Sequence, residues 1–419
     1  MSGSSAAHVP GPGPGVPAER RRADRAAWAT FAVFTLNGLV FANWVSRLPA
    51  VRDALDLTPA RLGILLLVGS VGSVLALPLT GAVVQRIGTR RTVVLAATLN
   101  VVSFALVAVA VGIGEVGLLA PALFAAQAGI AAWDVSMNLE GGAVEQALGR
   151  AIMPRFHAGF SLGTVLGAGM GALAALAGIS VTVHLLVVLG LIYVAVLLSV
   201  RSFLPDPPLA AAADRHHGWR TTFRAWTERR TLLVGLVVLA AALTEGAAND
   251  WLALAVVDGF GTTNAVGAVG FGIFVTAMTA MRLVGTELLD RYGRVPVLRL
   301  STALALVGLL LFTLAPAMLP ALAGAVLWGL GAALGFPVGM SAASDEPVHA
   351  AARVSVVSSI GYTAFLAGPP LLGLLAEQVG YRLSLLAIAV PLVLGLALVP
   401  AARPIGAAAR EEEPRPSRP

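Results

Sequence analysis

The chain has 419 residues, of which 57% are hydrophobic and only 12% charged, with a formal net charge of +6 and no cysteine. Soluble domains carry about 25% charged residues because a folded surface must be wetted, so the composition excludes a water-soluble protein and indicates an integral membrane protein. The missing cysteine excludes disulfides and thiolate metal sites. The basic residues are all arginines in short loops between apolar runs, which is a pattern of topology signals and not of nucleic-acid binding.

Residues 1–25, rich in Gly, Pro, Ser and Ala and ending in Arg20, Arg21, Arg22 and Arg25, read as a disordered cytoplasmic tail. The apolar run that follows is too long for a signal peptide and has no small-residue cleavage site. Breaks at Arg, Pro and Gly predict spans near 27–49, 62–84, 92–113, 117–139, 156–178 and 181–203, then near 231–257, 266–288, 296–316, 319–341, 354–376 and 382–402. Each is close to the ~20 residues that cross a hydrocarbon core. Residues 26–203 are thus an N-terminal six-helix bundle, 204–230 a cytoplasmic linker, 231–402 a C-terminal six-helix bundle and 403–419 a second disordered tail. With the N-terminus inside, 23 of the 28 arginines fall on the cytoplasmic side and four outside, so both termini are expected in the cytoplasm.

One motif occurs twice. GAVVQRIGTRR fills 81–91 and TELLDRYGRVP fills 286–296, an offset of 205 positions. NGLVFANW at 37–44 echoes EGAANDW at 245–251, and WDVSMN at 133–138 echoes FPVGMS at 336–341, in order and at nearly the same offset. The fold expected is an all-α membrane protein of twelve transmembrane helices in two six-helix bundles, a 6+6 pseudo-repeat of the kind found in transporters. In the first motif Gly81 is expected to pack closely on a neighbour, Gly88 to make a tight turn, and Arg86, Arg90 and Arg91 to supply cytoplasmic charge. The second copy offers Asp290, Arg291 and Gly293.

The 6+6 arrangement, the long central loop and GxxxxRxGxRR after span two resemble the major facilitator superfamily over roughly 26–402. FANWVSRLPAVRDAL, AWDVSMNLEGGAVE, PRFHAGFSLG and EGAANDW resemble a bacterial branch grouped near the fucose permeases. The resemblance implies a central cavity lined by spans one, four, seven and ten, and a location in the bacterial inner membrane. It also implies that the repeated loop latches the halves on the cytoplasmic side through a carboxylate at its fifth position. Here that position is the neutral Gln85, which hydrogen-bonds but forms no ion pair, so a weaker latch is expected. The alternative is that the loops are topology signals only.

Ionisable groups within a span cost roughly 2.5–3.5 kcal/mol each on an insertion scale, so each needs a reason. Glu245 lies near the middle of span seven with Asn249 one turn on; a partly desolvated carboxyl there can exchange protons near neutrality, as proton coupling requires. The plainer alternative is a neutral Glu bonded to another helix. Gln127, Asp134 and Asn138 are spaced i, i+7, i+11 on span four, one stripe, with Asp134 ~8 Å above the cytoplasmic edge. They read as a titrating or polar-substrate site, or as interhelical glue. Asn37, Phe41 and Trp44 share a face of span one and suit a hydroxylated ligand, although aromatics near helix ends are also ordinary interface anchors. His157 can relay protons or be merely solvated. Arg282 in span eight can snorkel to the surface or pair with Asp134 to close an inner gate. Gly163, Gly167, Gly169 and Gly171 form a small-residue face on span five.

No GxxxxGK[ST] loop, metal-ligand spacing or nucleophilic triad is present, so neither enzyme activity, nor a cofactor, nor a metal is expected. The reading favoured is a secondary transporter that moves a small polar solute, sugar-like, by alternating access with proton coupling. Its partners would be the solute, protons and the lipid bilayer, and a monomer is expected. The competing readings are a proton-driven efflux carrier for amphipathic compounds and a non-transporting membrane sensor or scaffold.

Overall fold

The computed structural model describes residues 16–149, 152–205, 224–346 and 349–404. Among these residues the regular structure is helical, as it must be where lipid offers the backbone no hydrogen-bond partner. Span one is Val16–Val45, two Pro59–Ile87, three Thr89–Ile113, four Val116–Leu148, five Met153–Leu176 and six Val181–Ser199. Span seven is Arg229–Phe260, eight Asn264–Tyr292 and nine Arg294–Leu314. Span ten covers Met318–Ala343, and a final apolar stretch covers Ala352–Ala402. Gly380, at φ 81° and ψ 160°, breaks that last stretch into spans eleven and twelve. A short helix, Leu48–Ala54, joins spans one and two. The first helix already begins at Val16, so 16–25 of the expected tail are helical. Residues 1–15, 206–223 of the expected linker and 405–419 lie outside the described residues.

The repeat is visible in how the helices start and stop. Thr58 caps span two by accepting from the Arg61 N–H at 3.3 Å, and Thr263 caps span eight by accepting from the Val266 N–H at 3.4 Å. Gly88 (φ 85°, ψ 163°) ends span two and Gly293 (φ 79°, ψ 166°) ends span eight. That conformation is almost closed to any residue with a Cβ. Both pairs stand 205 positions apart in the sequence.

Packing repeats as well. Span one lies on five, two on four, and three on four and six; in the second half seven lies on eleven, eight on ten, and nine on ten and twelve. The halves meet along two seams, span two with eleven and span five with eight. Lipid provides no hydrophobic drive between helices, so close approach through small residues supplies the contact. A Cβ at Gly38 would collide with the Phe160 carbonyl oxygen, and one at Gly163 with that of Thr35. Across the first seam, a Cβ at Gly63 would come within 2.6 Å of the Pro369 carbonyl oxygen. On the far side Leu95, Leu99, Val102 and Leu106 form an exposed apolar stripe at helical spacing, suited to lipid.

The small-residue face of span five is narrower than expected. Gly163, Gly167 and Gly171 turn to Thr35, Ala42 and Ser46 of the chain around span one, while Gly169 points into open space. Gly163→Ala is therefore expected to lose about 1–3 kcal/mol through overpacking, and Gly169→Ala to stay within ~0.5 kcal/mol of the parent. Thermal unfolding of the purified protein checks both; equal effects would overturn the assignment.

Candidate functional site

Glu245 sits near the middle of span seven and faces span eight. Both of its carboxylate oxygens accept from Nη2 of Arg282, each at 3.0 Å. The Arg282 Nε donates to the Ala333 carbonyl oxygen at 3.3 Å. That carbonyl lies where span ten breaks, between helices Met318–Ala332 and Gly335–Ala343, and terminal carbonyls of a helix lack intrahelical donors. Arg282 therefore neither snorkels nor pairs with Asp134. Span eight packs on seven and ten of its own half, so the nearest carboxylate and free carbonyl are within that half.

Span four runs on to Leu148, past the expected end, and this puts Asp134 near the middle of the helix instead of near its edge. Its Oδ1 accepts from Asn138 Nδ2 at 3.3 Å, and the same nitrogen donates to the Asp134 carbonyl at 2.9 Å. Tyr362 of span eleven stands within electrostatic reach of Asp134. Gln127 leaves this pair and leans on span two, its Cγ lying 2.9 Å from where a Cβ of Gly69 would be. Asn249, half-buried, is one turn beyond Glu245.

On span one, Asn37 is buried and its Nδ2 has no partner. Phe41 meets Phe160 of span five with ring centroids 6.4 Å apart. Trp44 is packed against Phe104 of span three at 5.3 Å and is 3% exposed. It is a core residue of the first half, neither a ligand platform nor an interface anchor. His157 is exposed, edge-on to Phe34 at 5.3 Å, and the Arg282 charge reaches it across the second seam.

The repeated loops make the turns expected of Gly88 and Gly293, but nothing lies within 4 Å of a Cβ at Gly81, so the close packing expected there is absent. Gln85, Arg86, Arg90, Arg91, Asp290 and Arg291 are exposed. The ion pairs between described residues at this end lie inside the second half. Asp345 accepts from Arg230 at 2.7 Å and Arg294 at 3.0 Å, and Arg353 bridges Glu228 at 2.6 Å and Glu346 at 2.8 Å. Burial tends to raise the Glu228 pKa, but hydrogen bonds from Arg353 and Thr231 outweigh it and hold the carboxyl below its ordinary value. In the first half Glu140, 205 positions before Asp345, accepts from the Leu204 N–H at 2.8 Å.

A second set of polar contacts escaped the sequence reading. At the end of the molecule opposite the termini, Arg52 of the short helix reaches Asp258 of span seven at 2.5 Å while holding Asp53 at 2.6 Å. Its guanidinium lies 5.4 Å from the centre of the Tyr381 ring. Asn264 donates to Asp53 at 3.1 Å, and the Ala60 N–H donates to Glu377 at 3.3 Å. All of these but the Asp53 bond of Arg52 run from one half to the other. Burial pulls the Arg52 pKa down, yet the bonds to Asp258 and Asp53 outweigh it and hold the guanidinium above its ordinary value. In the sequence Arg52 was one loop arginine among several, and no spacing joins it to a partner some two hundred residues away.

Two pseudo-equivalent helical bundles that meet along two seams, with a partly exposed ion pair at mid-span, have the architecture of a multi-pass membrane transporter. The chain belongs to the Major Facilitator Superfamily, whose model matches residues 26–316 and 234–419. It is 35% identical over 357 residues to "Uncharacterized transporter y4wD" of Sinorhizobium fredii (strain NBRC 101917 / NGR234), covering 84% of this chain and 91% of that one. It is 30% identical over 369 residues to "Membrane protein MosC" of Rhizobium meliloti, covering 87% and 88%. Among solved structures, the nucleoside transporter NupG superposes with a TM-score of 0.70 at 17% identity, covering 91% of this chain and 98% of that one. FucP in the outward conformation gives 0.64 at 16%, covering 90% and 98%. An inward-facing, unoccupied bacterial homologue of the lysosomal transporter Spinster gives 0.68 at 13%, covering 91% and 97%. These structural likenesses share the fold.

Because Glu245 and Arg282 neutralise each other, removing one leaves a charge in the membrane. Glu245→Gln or Arg282→Met alone is expected to cost between the ~1 kcal/mol of an exposed pair and the ~3–5 kcal/mol of a buried one. The double variant should be less damaged than the sum of the two, and a double-mutant cycle on thermal stability reads this. Arg52→Ala should increase labelling of a single cysteine placed at the end opposite the termini, an experiment eased by the cysteine-free background; unchanged labelling counts against the latch.

Proposed function

We propose that the protein is a secondary active transporter for a small polar solute, coupled to protons and working by alternating access in a bacterial inner membrane. Both termini would be cytoplasmic, as the arginine distribution favours. The conformation described would then be one closed at the periplasmic end, where Arg52, Asp258, Asp53 and Asn264 join the halves. The observation that carries this reading is the Glu245–Arg282 pair, seated at mid-span beside a helix break and facing His157 of the other half. A neutralised pair with spare lone pairs and N–H groups is a binding platform for hydroxyls, and Asn249, one turn on along the same helix, adds a further polar group. NupG is titled a nucleoside transporter and FucP a fucose:proton symporter, which favours a hydroxylated, sugar-like cargo.

The structure alters one part of the coupling scheme. Both carboxylate oxygens of Glu245 are held by one guanidinium nitrogen, and Glu245 is a poor candidate for a mobile proton, because releasing it from the pair strands Arg282. Asp134, held among the described residues by Asn138 and with no arginine bound to it, is the better carrier. A thermal-shift screen of purified protein against sugars, nucleosides, organic acids and drugs identifies the cargo. In proteoliposomes that cargo should drive a pH change that Asp134→Asn abolishes, with exchange of cargo across the membrane retained. A cargo that moves with no pH change removes the coupling; a protein that binds no cargo and moves none removes the transport reading.

A further inference from the structure

Spans three and six pack on each other in the first half, away from the two seams, and run in opposite directions. Each presents an exposed face to lipid, and each of those faces ends in an arginine at the end that carries the termini. On span three Arg91 is followed at i+4 and i+8 by Leu95 and Leu99. Span six continues through the short turn Val200–Ser202, where Arg201 is preceded, three and seven residues back, by Leu198 and Val194. All six side chains are exposed. These spacings put each set on one helical stripe.

A hydrogen bond fixes the relative height of the two stripes. Thr98 of span three and Tyr193 of span six share it between their hydroxyls at 2.8 Å. Arg91 stands seven residues from Thr98 and Arg201 eight from Tyr193, which at about 1.5 Å of rise per residue is about 10 and about 12 Å. Both arginines therefore lie at one depth, on packed helices whose axes are typically about 8–10 Å apart. Their guanidiniums can reach one anion placed between them. Neither makes an ion pair or a hydrogen bond with a described residue, whereas Arg230, Arg294 and Arg353 at the same end are taken by carboxylates. Arg90, beside Arg91, is also exposed and adds to the local charge.

We propose that this flank binds an anionic phospholipid, with the headgroup phosphate between Arg91 and Arg201 and the acyl chains along the two apolar stripes. The charge selects the lipid class. A guanidinium fork matches two phosphate oxygens, and every phospholipid offers those. A zwitterionic headgroup, however, brings its ammonium against two guanidiniums, whereas a phosphatidylglycerol headgroup brings no cation. The stripes decide between a lipid and a free phosphate ion, since Leu95, Leu99, Val194 and Leu198 offer nothing to an ion. The proposal rests on neither cargo, coupling nor alternating access: both spans belong to one half, and a lipid seated on them moves with that half.

The cysteine-free chain allows a single reporter. A fluorophore on Val102→Cys, exposed farther along the stripe of Arg91, is quenched by a nitroxide on the acyl chain of whichever lipid lies there. In phosphatidylcholine vesicles holding the full-length protein and a minor fraction of labelled lipid, labelled phosphatidylglycerol should quench more strongly than labelled phosphatidylcholine. Arg91→Gln and Arg201→Gln should each weaken that preference about fivefold, and the double variant should abolish it. Arg86→Gln, which removes an exposed arginine at the same end but on neither stripe, should leave it unchanged. Equal quenching by the two lipids, or a preference retained in the double variant, overturns the proposal. So does an equal loss in Arg86→Gln, which would make the attraction one of diffuse charge, or displacement of the labelled lipid by inorganic phosphate at constant ionic strength.

Discussion

An ionisable side chain in hydrocarbon must be paired, hydrogen-bonded or neutral, and the second half of this molecule is arranged around that constraint. Arg282 is stable in span eight because Glu245 and the carbonyl at the break in span ten meet it there. The pair belongs to one half. A rocking motion of one bundle against the other carries both partners together, so the motion itself neither makes nor breaks the pair. What can alter it is a solute that competes for its hydrogen bonds. The contacts that rocking does break are those of Arg52 and Asn264, which span the halves at one end. On the proposed alternating-access reading, binding and gating then fall to different charges, and the gate charges sit at the helix ends, where solvent makes them weak enough to part.

The architecture was legible in the sequence because lipid leaves few choices. A run of some twenty apolar residues has to be a helix, arginine has to stay out, and a motif repeated 205 positions apart gives two equivalent bundles. Gly88 and Gly293 could be read as turns, since their conformation excludes a Cβ. Side-chain partnership was not legible. The family resemblance put Glu245 toward a central cavity, with a bond to another helix as the alternative; which helix supplies its partner depends on how span eight rotates against seven, and the break in span ten supplies the second partner of Arg282. Trp44 shows the same limit: spacing groups it with Phe41, yet in the fold Phe41 meets Phe160 while Trp44 meets Phe104. Gly81 was read through a motif, and the motif's packing contact is missing here. The latch escaped entirely, because Arg52 and Asp258 meet through tertiary structure alone.

Gln85 takes its meaning from that latch. With the loop carboxylate of the first half replaced by an amide, nothing charged at that position favours closing the end that carries the termini. The ion-paired carboxylates described at that end, Asp345, Glu228 and Glu346, are bound to arginines of their own half. The opposite end has an arginine between two aspartates, a cross-half amide bond and a close seam where Gly63 meets Pro369. Asp258 is 39% exposed on its side chain, so each such contact contributes on the order of 1 kcal/mol or less. A difference of one or two such contacts is still enough to set which conformation predominates, since two states separated by ~1.4 kcal/mol are populated ten to one. On the proposed alternating-access reading, the neutral residue in the motif and the charged contacts at the far end would bias the same equilibrium in the same direction, toward the conformation observed.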